Sequence, residues 1–286
     1  MLDRRRWVHE EGAEDLDFDA RFRQDRRERW LRGVRNGMNP FSVVGVRTGL
    51  TRSVRFGGVP VQASPNQATY RLIEDIWMRG EYDFDGYVPA RGWRVVDIGA
   101  NVGVFAMLAA NRGARVVAYE PNPDTFGRLL ANTAKWRVEC HHAAVVGKSE
   151  GTLPLFLHPL RDTRNTLLGA RGGVLNTRAS AQSAAPPPPI YGETVDVPTV
   201  SIDDVLDEPC DLLKIACEGG EFEIFSTVTP RLRNAKRIVL ELHTEMETDH
   251  GNASRLVAAV RDAGFEVEVR PTHSGMTRVF MTATLR

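Results

Sequence analysis

Cysteine, net charge and long apolar runs are all scarce in this chain of 286 residues, and each scarcity excludes something. The three cysteines, Cys140, Cys210 and Cys217, are odd in number and form no C-x-x-C pair. That argues against a disulfide framework or a structural zinc site, and for a reducing, cytoplasmic setting. No apolar stretch approaches the ~20 residues that cross a bilayer. The basic start, MLDRRRW, lacks the apolar segment that would make it a secretory signal. Lys+Arg and Asp+Glu are both 37, so the charge balance carries no footprint for nucleic acid or an anionic membrane surface. What is present, 42% hydrophobic and 26% charged residues, excludes a wholly disordered chain. The length suits one large domain, or a core domain with appendages.

Residues 1 to about 36 mix Arg with Asp and Glu around the apolar anchors Trp7, Leu16, Phe18, Phe22, Trp30 and Leu31. This predicts one or two helices docked either on the main domain or on a second subunit, the latter a homodimer contact. The following VVGVRTGLTRSVRFGGVPVQAS, broken at Gly57-Gly58, reads as short alternating runs of a small hairpin. Residues 1–64 then form an N-terminal extension, and residues 65–286 a main domain. At its start Leu72, Ile73, Ile76 and Trp77 share one helical face.

From about residue 92 strands and helices alternate. WRVVDIG, RVVAYEP, VECHHAAVVG, CDLLKIA, RIVLELH, FEVEVR and RVFMTATLR read as seven strands, most separated by helical stretches. The expected fold class is α/β, a doubly wound, mostly parallel seven-stranded sheet whose last two strands are antiparallel at one edge. Residues 158–195 depart from this pattern. They are polar and carry Pro186 to Pro189, which disfavour helix and suit polyproline II, so they read as a disordered insert or as a functional lid.

The most informative segment is VVDIGANVGVFA, residues 95–106. A strand ends at Asp97-Ile98, the chain turns on Gly99, and a helix opens near Gly103. Without side chains at the two glycines, a ligand can lie close to backbone amides. The dinucleotide pattern G-x-G-x-x-G has a related layout, but here an acid stands two residues before the first glycine. That acid repels a pyrophosphate and suits the cationic amino-acid end of a sulfonium, which favours S-adenosyl-L-methionine over NAD. Glu120, in YEPNP and 17 residues beyond Gly103, stands at the tip of the next strand. There it can accept both hydroxyl hydrogens of a ribose, with Asn122 beside the sugar or adenine. The plainer alternative makes Asp97 a helix cap and Glu120 a solvated strand-end acid.

With these residues in view the chain resembles the FkbM-type methyltransferases. The resemblance runs over about residues 65 to 270, through RGEYD, VVDIGANVGVFA, AYEPNP, VSIDDVL, LLKIACEGGEFEIF and IVLELH. It implies a class I, Rossmann-like, S-adenosyl-L-methionine-dependent O-methyltransferase acting on a hydroxyl of a sugar, polyketide or other small metabolite. Carried over, Asp97, Gly99, Ala100, Asn101 and Gly103 form the methionine-end loop and Glu120 is the ribose acid. Asn122 and Ala144 then lie on the adenine side, and Glu81 and Tyr82 belong to a segment folding over the cofactor. The resemblance also implies K-I-D-x-E-G at the fourth strand, where this chain has Ala216 in place of the acid. Another group doing the acid's work, a changed substrate, a disabled enzyme and an engineered substitution all remain open.

For removal of the acceptor's proton, His243 at the end of the fifth strand is the leading candidate base. Glu218, Glu241 and His243 form a candidate divalent-cation set, although Glu218 as a helix cap fits as well. Lys214 interrupts an apolar strand, so it is either paired or directed at the cleft. The candidate catalytic group is therefore His243, Lys214 and Glu218. His141-His142 and Asp203-Asp204 read as structural. A cofactor-binding partner protein without turnover, and an NAD-linked oxidoreductase, are the competing classes.

Overall fold

The computed structural model describes residues 26–47, 53–63, 68–149, 151–157, 193–227, 229–243, 253–271 and 278–286. Helices α1 (Arg26–Arg35) and α2 (Pro40–Arg47) are followed by a hairpin of β1 (Arg55–Phe56) and β2 (Val59–Pro60). Next, α3 (Ala68–Leu72) runs into a π-helix, Ile73–Arg79. Then come β3 (Arg94–Ile98), α4 (Val104–Asn111), β4 (Arg115–Tyr119), α5 (Pro123–Thr133), β5 (Val138–His141) and β6 (Ala144–Val146). The chain continues through β7 (Thr152–Leu157), β8 (Glu193–Ser201), α6 (Ile202–Val205), β9 (Leu212–Ile215) and α7 (Gly220–Ile224). It closes with β10 (Arg237–His243), α8 (Ala253–Asp262), β11 (Phe265–Pro271) and β12 (Arg278–Leu285).

The main sheet has seven strands in the order β11-β12-β10-β9-β3-β4-β5. Neighbours from β10 to β5 pair in parallel, and β12 runs antiparallel to both β10 and β11. The expected pair of antiparallel edge strands is thus one reversed strand inserted between two others. Alternation along each strand feeds two cores, as a sheet covered on both faces requires. Val95, Leu212 and Val239 face α4 and Trp77, while Val96, Ile98, Leu213 and Leu240 face Ile224, Leu256 and Val260.

Two segments fold differently from the expectation their sequence raises. VVGVR belongs to a helix, because Asn39 accepts the Ser42 amide at 3.1 Å and Pro40 sits at the first helical position, a capped start. The stretch VECHHAAVVG is two strands. Its second half leaves the main sheet to pair in parallel with β8, in a small sheet ordered β6-β8-β7. Of the insert 158–195, only residues 193–195 are described, at the start of β8; the rest, and the anchors Trp7 to Phe22, lie outside the described residues.

The described part of the N-terminal extension shares a core with the main domain. Trp77 is fully buried, its ring 4.0 Å from that of Phe56 in the hairpin, and its Nε1 donates to the Val104 carbonyl at 2.9 Å. One side chain thereby joins the hairpin to the start of α4. Trp77→Ala is expected to cost about 3–5 kcal/mol through the cavity it leaves. Trp77→Phe should cost clearly less, since it removes the hydrogen bond and part of the ring only. Urea unfolding midpoints of the two variants against the parent check this ordering.

Candidate active site

Between β3 and β9 the connections diverge, one half of the sheet growing toward β5 and the other toward β11. In open sheets of this kind ligands bind at the carboxyl ends of the strands, at such a switch point. Asp97 and Lys214 stand opposite each other there, in register on adjacent parallel strands. Both are buried, and Lys214 Nζ lies 2.8 Å from Asp97 Oδ1 and donates to the Gly99 carbonyl at 3.1 Å. The ammonium also lies 5.6 Å from the Tyr82 ring centre and 5.8 Å from that of Phe105, within range of cation–π attraction. The lysine that interrupts an apolar strand is therefore tied to the turn and to its paired acid. Among the described residues neither Asp97 oxygen accepts a hydrogen bond of good geometry, so charge rather than a directed bond links the pair.

The turn itself is built on left-handed residues. Gly99 has φ 73°, and its amide and that of Ala100 both donate to the Tyr119 carbonyl at 3.0 Å. A Cβ on Gly99 would lie 2.0 Å from the Ala216 carbonyl oxygen, and one on Gly103, with φ 88°, 2.7 Å from Leu129 Cδ1. Sequence reading assigned both glycines to making room for a ligand. Their immediate neighbours are protein atoms: Gly99 lets the turn pass the end of β9, and Gly103 lets α4 approach α5. Asn101, at φ 52°, supplies its amide to Glu120 Oε2 at 2.9 Å.

Glu120 follows β4 and is buried. Its other oxygen accepts the Asn122 amide at 3.0 Å. Burial raises its pKa from 4.5 to about 7, against the opposing pull of these two amides and of Lys214. Asn122 is the N-cap of α5, its Oδ1 accepting from the Asp124 and Thr125 amides at 2.9 and 3.3 Å, so this oxygen serves the helix. Ala144 is buried in β6, opposite Thr199 of the small sheet. Tyr82 packs edge-on against Phe105 and Phe280 and directs its hydroxyl toward Glu241 at 3.4 Å, and the Glu81 amide donates to Asp75. His141 and His142 stack on Tyr119 and Phe126, and Ser201 caps the helix that contains Asp203-Asp204, all in structural roles.

On the other side of the switch point, His243 ends β10. Its Nδ1 lies 3.0 Å from Glu221 Oε1, which also accepts the His243 amide at 2.7 Å. Its Nε2 faces Glu218 Oε2 at 3.6 Å and Glu241 Oε1 at 4.0 Å. Burial disfavours a charged ring, but the Glu221 and Glu218 carboxylates outweigh it and hold the His243 pKa well above the usual histidine value. A ring held toward its protonated form is a poorer base, and its side chain is only 1% exposed, against 18% for Glu218. Among the described residues no group of three or more His, Cys, Asp or Glu side chains is arranged to hold a metal ion, so the expected cation set of Glu218, Glu241 and His243 is not supported. The carboxylates pair with the ring instead. Burial pushes the Cys217 thiol well above 9, which keeps it a neutral spectator.

Sequence reading missed Glu221, the group that holds His243. The only available signal was an acid three residues beyond Glu218, at the first turn of an apolar helix.

The sequence pattern of the methyltransferase FkbM domain matches residues 97–267. A protein of Haloferax volcanii named hexuronic acid methyltransferase AglP is 25% identical over 216 residues, covering 71% of this chain and 80% of its own. A protein of Pseudomonas aeruginosa named AMB antimetabolite synthetase AmbE is 26% identical over 232 residues, 72% of this chain but 11% of its own length. Among solved structures, the N-terminal domain of EvdMO1 with SAH bound is 14% identical, covers 92% of this chain and 98% of its own, and superposes with a TM-score of 0.43. Among the described residues no helix is long and apolar enough to cross a membrane.

The raised pKa of Glu120 has a consequence for stability. Between pH 4.5 and about 7 the folded state holds this proton while the unfolded state has lost it, so stability falls as pH rises through that window. Glu120→Gln removes the contribution. Urea midpoints measured at about pH 5 and about pH 8 should therefore fall more in the parent than in the variant.

Proposed function

The chain belongs to the FkbM methyltransferase family, and from that premise we propose an S-adenosyl-L-methionine-dependent O-methyltransferase acting on a hydroxyl of a small metabolite. The observation that carries this reading is the pair of buried acids flanking the Gly99 turn. Glu120 is held by the amides of Asn101 and Asn122, and Asp97 stands on the adjacent strand beside Lys214. Buried polar atoms seek partners, and the Asp97 oxygens lack a well-aligned donor among the described residues. The ligand's ammonium group would supply that donor at Asp97, and the Glu120 oxygens, each already accepting one amide, keep lone pairs for a ribose diol. The residues present thus fit a sulfonium nucleoside better than a dinucleotide pyrophosphate.

When bound, S-adenosyl-L-methionine supplies an electrophilic methyl group. The chain's own residues orient the acceptor oxygen and take its proton. Orientation alone is worth several powers of ten, and a placed base about two to four more. Glu218 is the more exposed member of the acidic group around His243, so the acceptor hydroxyl gives its proton to that carboxylate. His243, buried behind it, stabilises the arrangement as a cation. The base role that sequence reading gave His243 thereby passes to Glu218, and Lys214 acts through the Asp97 pair and the Gly99 carbonyl. The similarity to a protein named for hexuronic acid methylation supports a sugar or sugar acid as the acceptor.

Ala216 favours a second reading, a cofactor-binding homologue without turnover. Its amide donates to the Ile98 carbonyl, and its methyl stands where the family resemblance implies an acid. A methylation assay of the parent against Ala216→Asp, with and without divalent ions, separates the two: turnover in the parent supports the enzyme, and turnover gained only in the variant supports the disabled site.

Calorimetry with S-adenosylhomocysteine tests the pocket directly. Glu120→Ala and Asp97→Ala are each expected to weaken binding about ten- to hundredfold, the worth of a charge-assisted hydrogen-bond pair. Unchanged affinity in both removes the assignment.

A further inference from the structure

We infer that Glu221 is a positioning residue that sets Glu218 and His243 relative to each other; this rests on the reading of those two as the proton-handling end of the site. The Glu221 carboxylate is fully buried and collects three donors. Oε1 accepts both the His243 amide, at 2.7 Å, and Nδ1 of the His243 ring, at 3.0 Å. Oε2 accepts the Gly219 amide at 2.8 Å. One side chain therefore clamps the end of β10 to the loop that follows β9.

The loop needs a clamp. Glu218 and Gly219 are consecutive left-handed residues, with φ 49° and 92°. A non-glycine residue there is uncommon, and persists where its surroundings fix it. The bond to the Gly219 amide fixes this bend, and the bend directs the Glu218 carboxylate to within 3.6 Å of His243 Nε2. The two bonds to His243 fix the other partner. With Nδ1 committed to Glu221, the ring can turn only Nε2 toward Glu218 and Glu241. That nitrogen is buried and makes no hydrogen bond among the described residues, so its orientation is imposed from the Nδ1 side.

A carboxylate with three donors is also one that an amide cannot replace. Gln at 221 has a single acceptor oxygen, and its NH2 group must face either the Gly219 amide or the two His243 donors. A donor left unpaired in a buried site is costly, and the local geometry shifts to relieve it.

The test uses the full chain labelled with 15N-histidine, with the His243 ring signals assigned by their loss in His243→Gln. The parent is expected to show a protonated, hydrogen-bonded Nδ1 whose proton exchanges slowly with water. In Glu221→Gln that proton should exchange roughly tenfold faster or more, while the other histidine signals stay in place. A parent spectrum without a protected Nδ1 proton overturns the proposal even if the variant fails to fold, and so does a variant whose His243 signals match the parent. S-adenosylhomocysteine calorimetry on the parent is run alongside. Absence of binding there sinks the cofactor reading but leaves the histidine result to decide the clamp on its own.

Discussion

A buried carboxylate and a buried ammonium on adjacent strands hold the centre of this molecule together. Asp97 and Lys214 are each excluded from water, so neither is tolerable without the other, and removing one typically costs about 3–5 kcal/mol. Lys214 uses the same ammonium on the Gly99 carbonyl, which fixes the turn that follows Asp97. From that turn the Asn101 amide reaches Glu120, just beyond the next strand. Three strands of the sheet are thus connected at their carboxyl ends through one chain of charge-assisted contacts.

On the far side of the switch point a second set of charges repeats the logic with different members. His243 is surrounded by Glu221, Glu218 and Glu241, and it balances acids that would otherwise repel one another. Tyr82 bridges the two sets, its ring near Lys214 and its hydroxyl toward Glu241. The site is therefore a pair of charge clusters across a strand boundary, to which the proposed function assigns the cofactor and the acceptor proton respectively. Burial strengthens the interactions in both, because few solvent dipoles screen them.

Much of the fold was legible in the sequence because its signals are local. β-Branched runs bounded by glycine, followed by helical periodicity, mark strand-helix units whatever lies elsewhere in the chain. The hairpin at Gly57-Gly58 was legible for the same reason. The small sheet was not, since β6 pairs with β8, more than fifty residues later, and nothing near VECHHAAVVG announces where the chain leaves one sheet for another. The helix at Val43-Val44 was misread because alternation of small apolar residues looks strand-like, while the cap at Asn39 acts over only three residues.

By itself the sequence determined the family, the strand-helix alternation, and the acids Asp97 and Glu120 at successive strand tips, since each depends on residue type and short spacing. Tertiary structure alone decided which charges meet. Lys214 lies more than a hundred residues from Asp97, and Glu221 some twenty from His243. Pairing across the sheet brings them within hydrogen-bonding range. Whether a buried histidine serves as base or as cation depends on the carboxylates around it, which no spacing along the chain reveals.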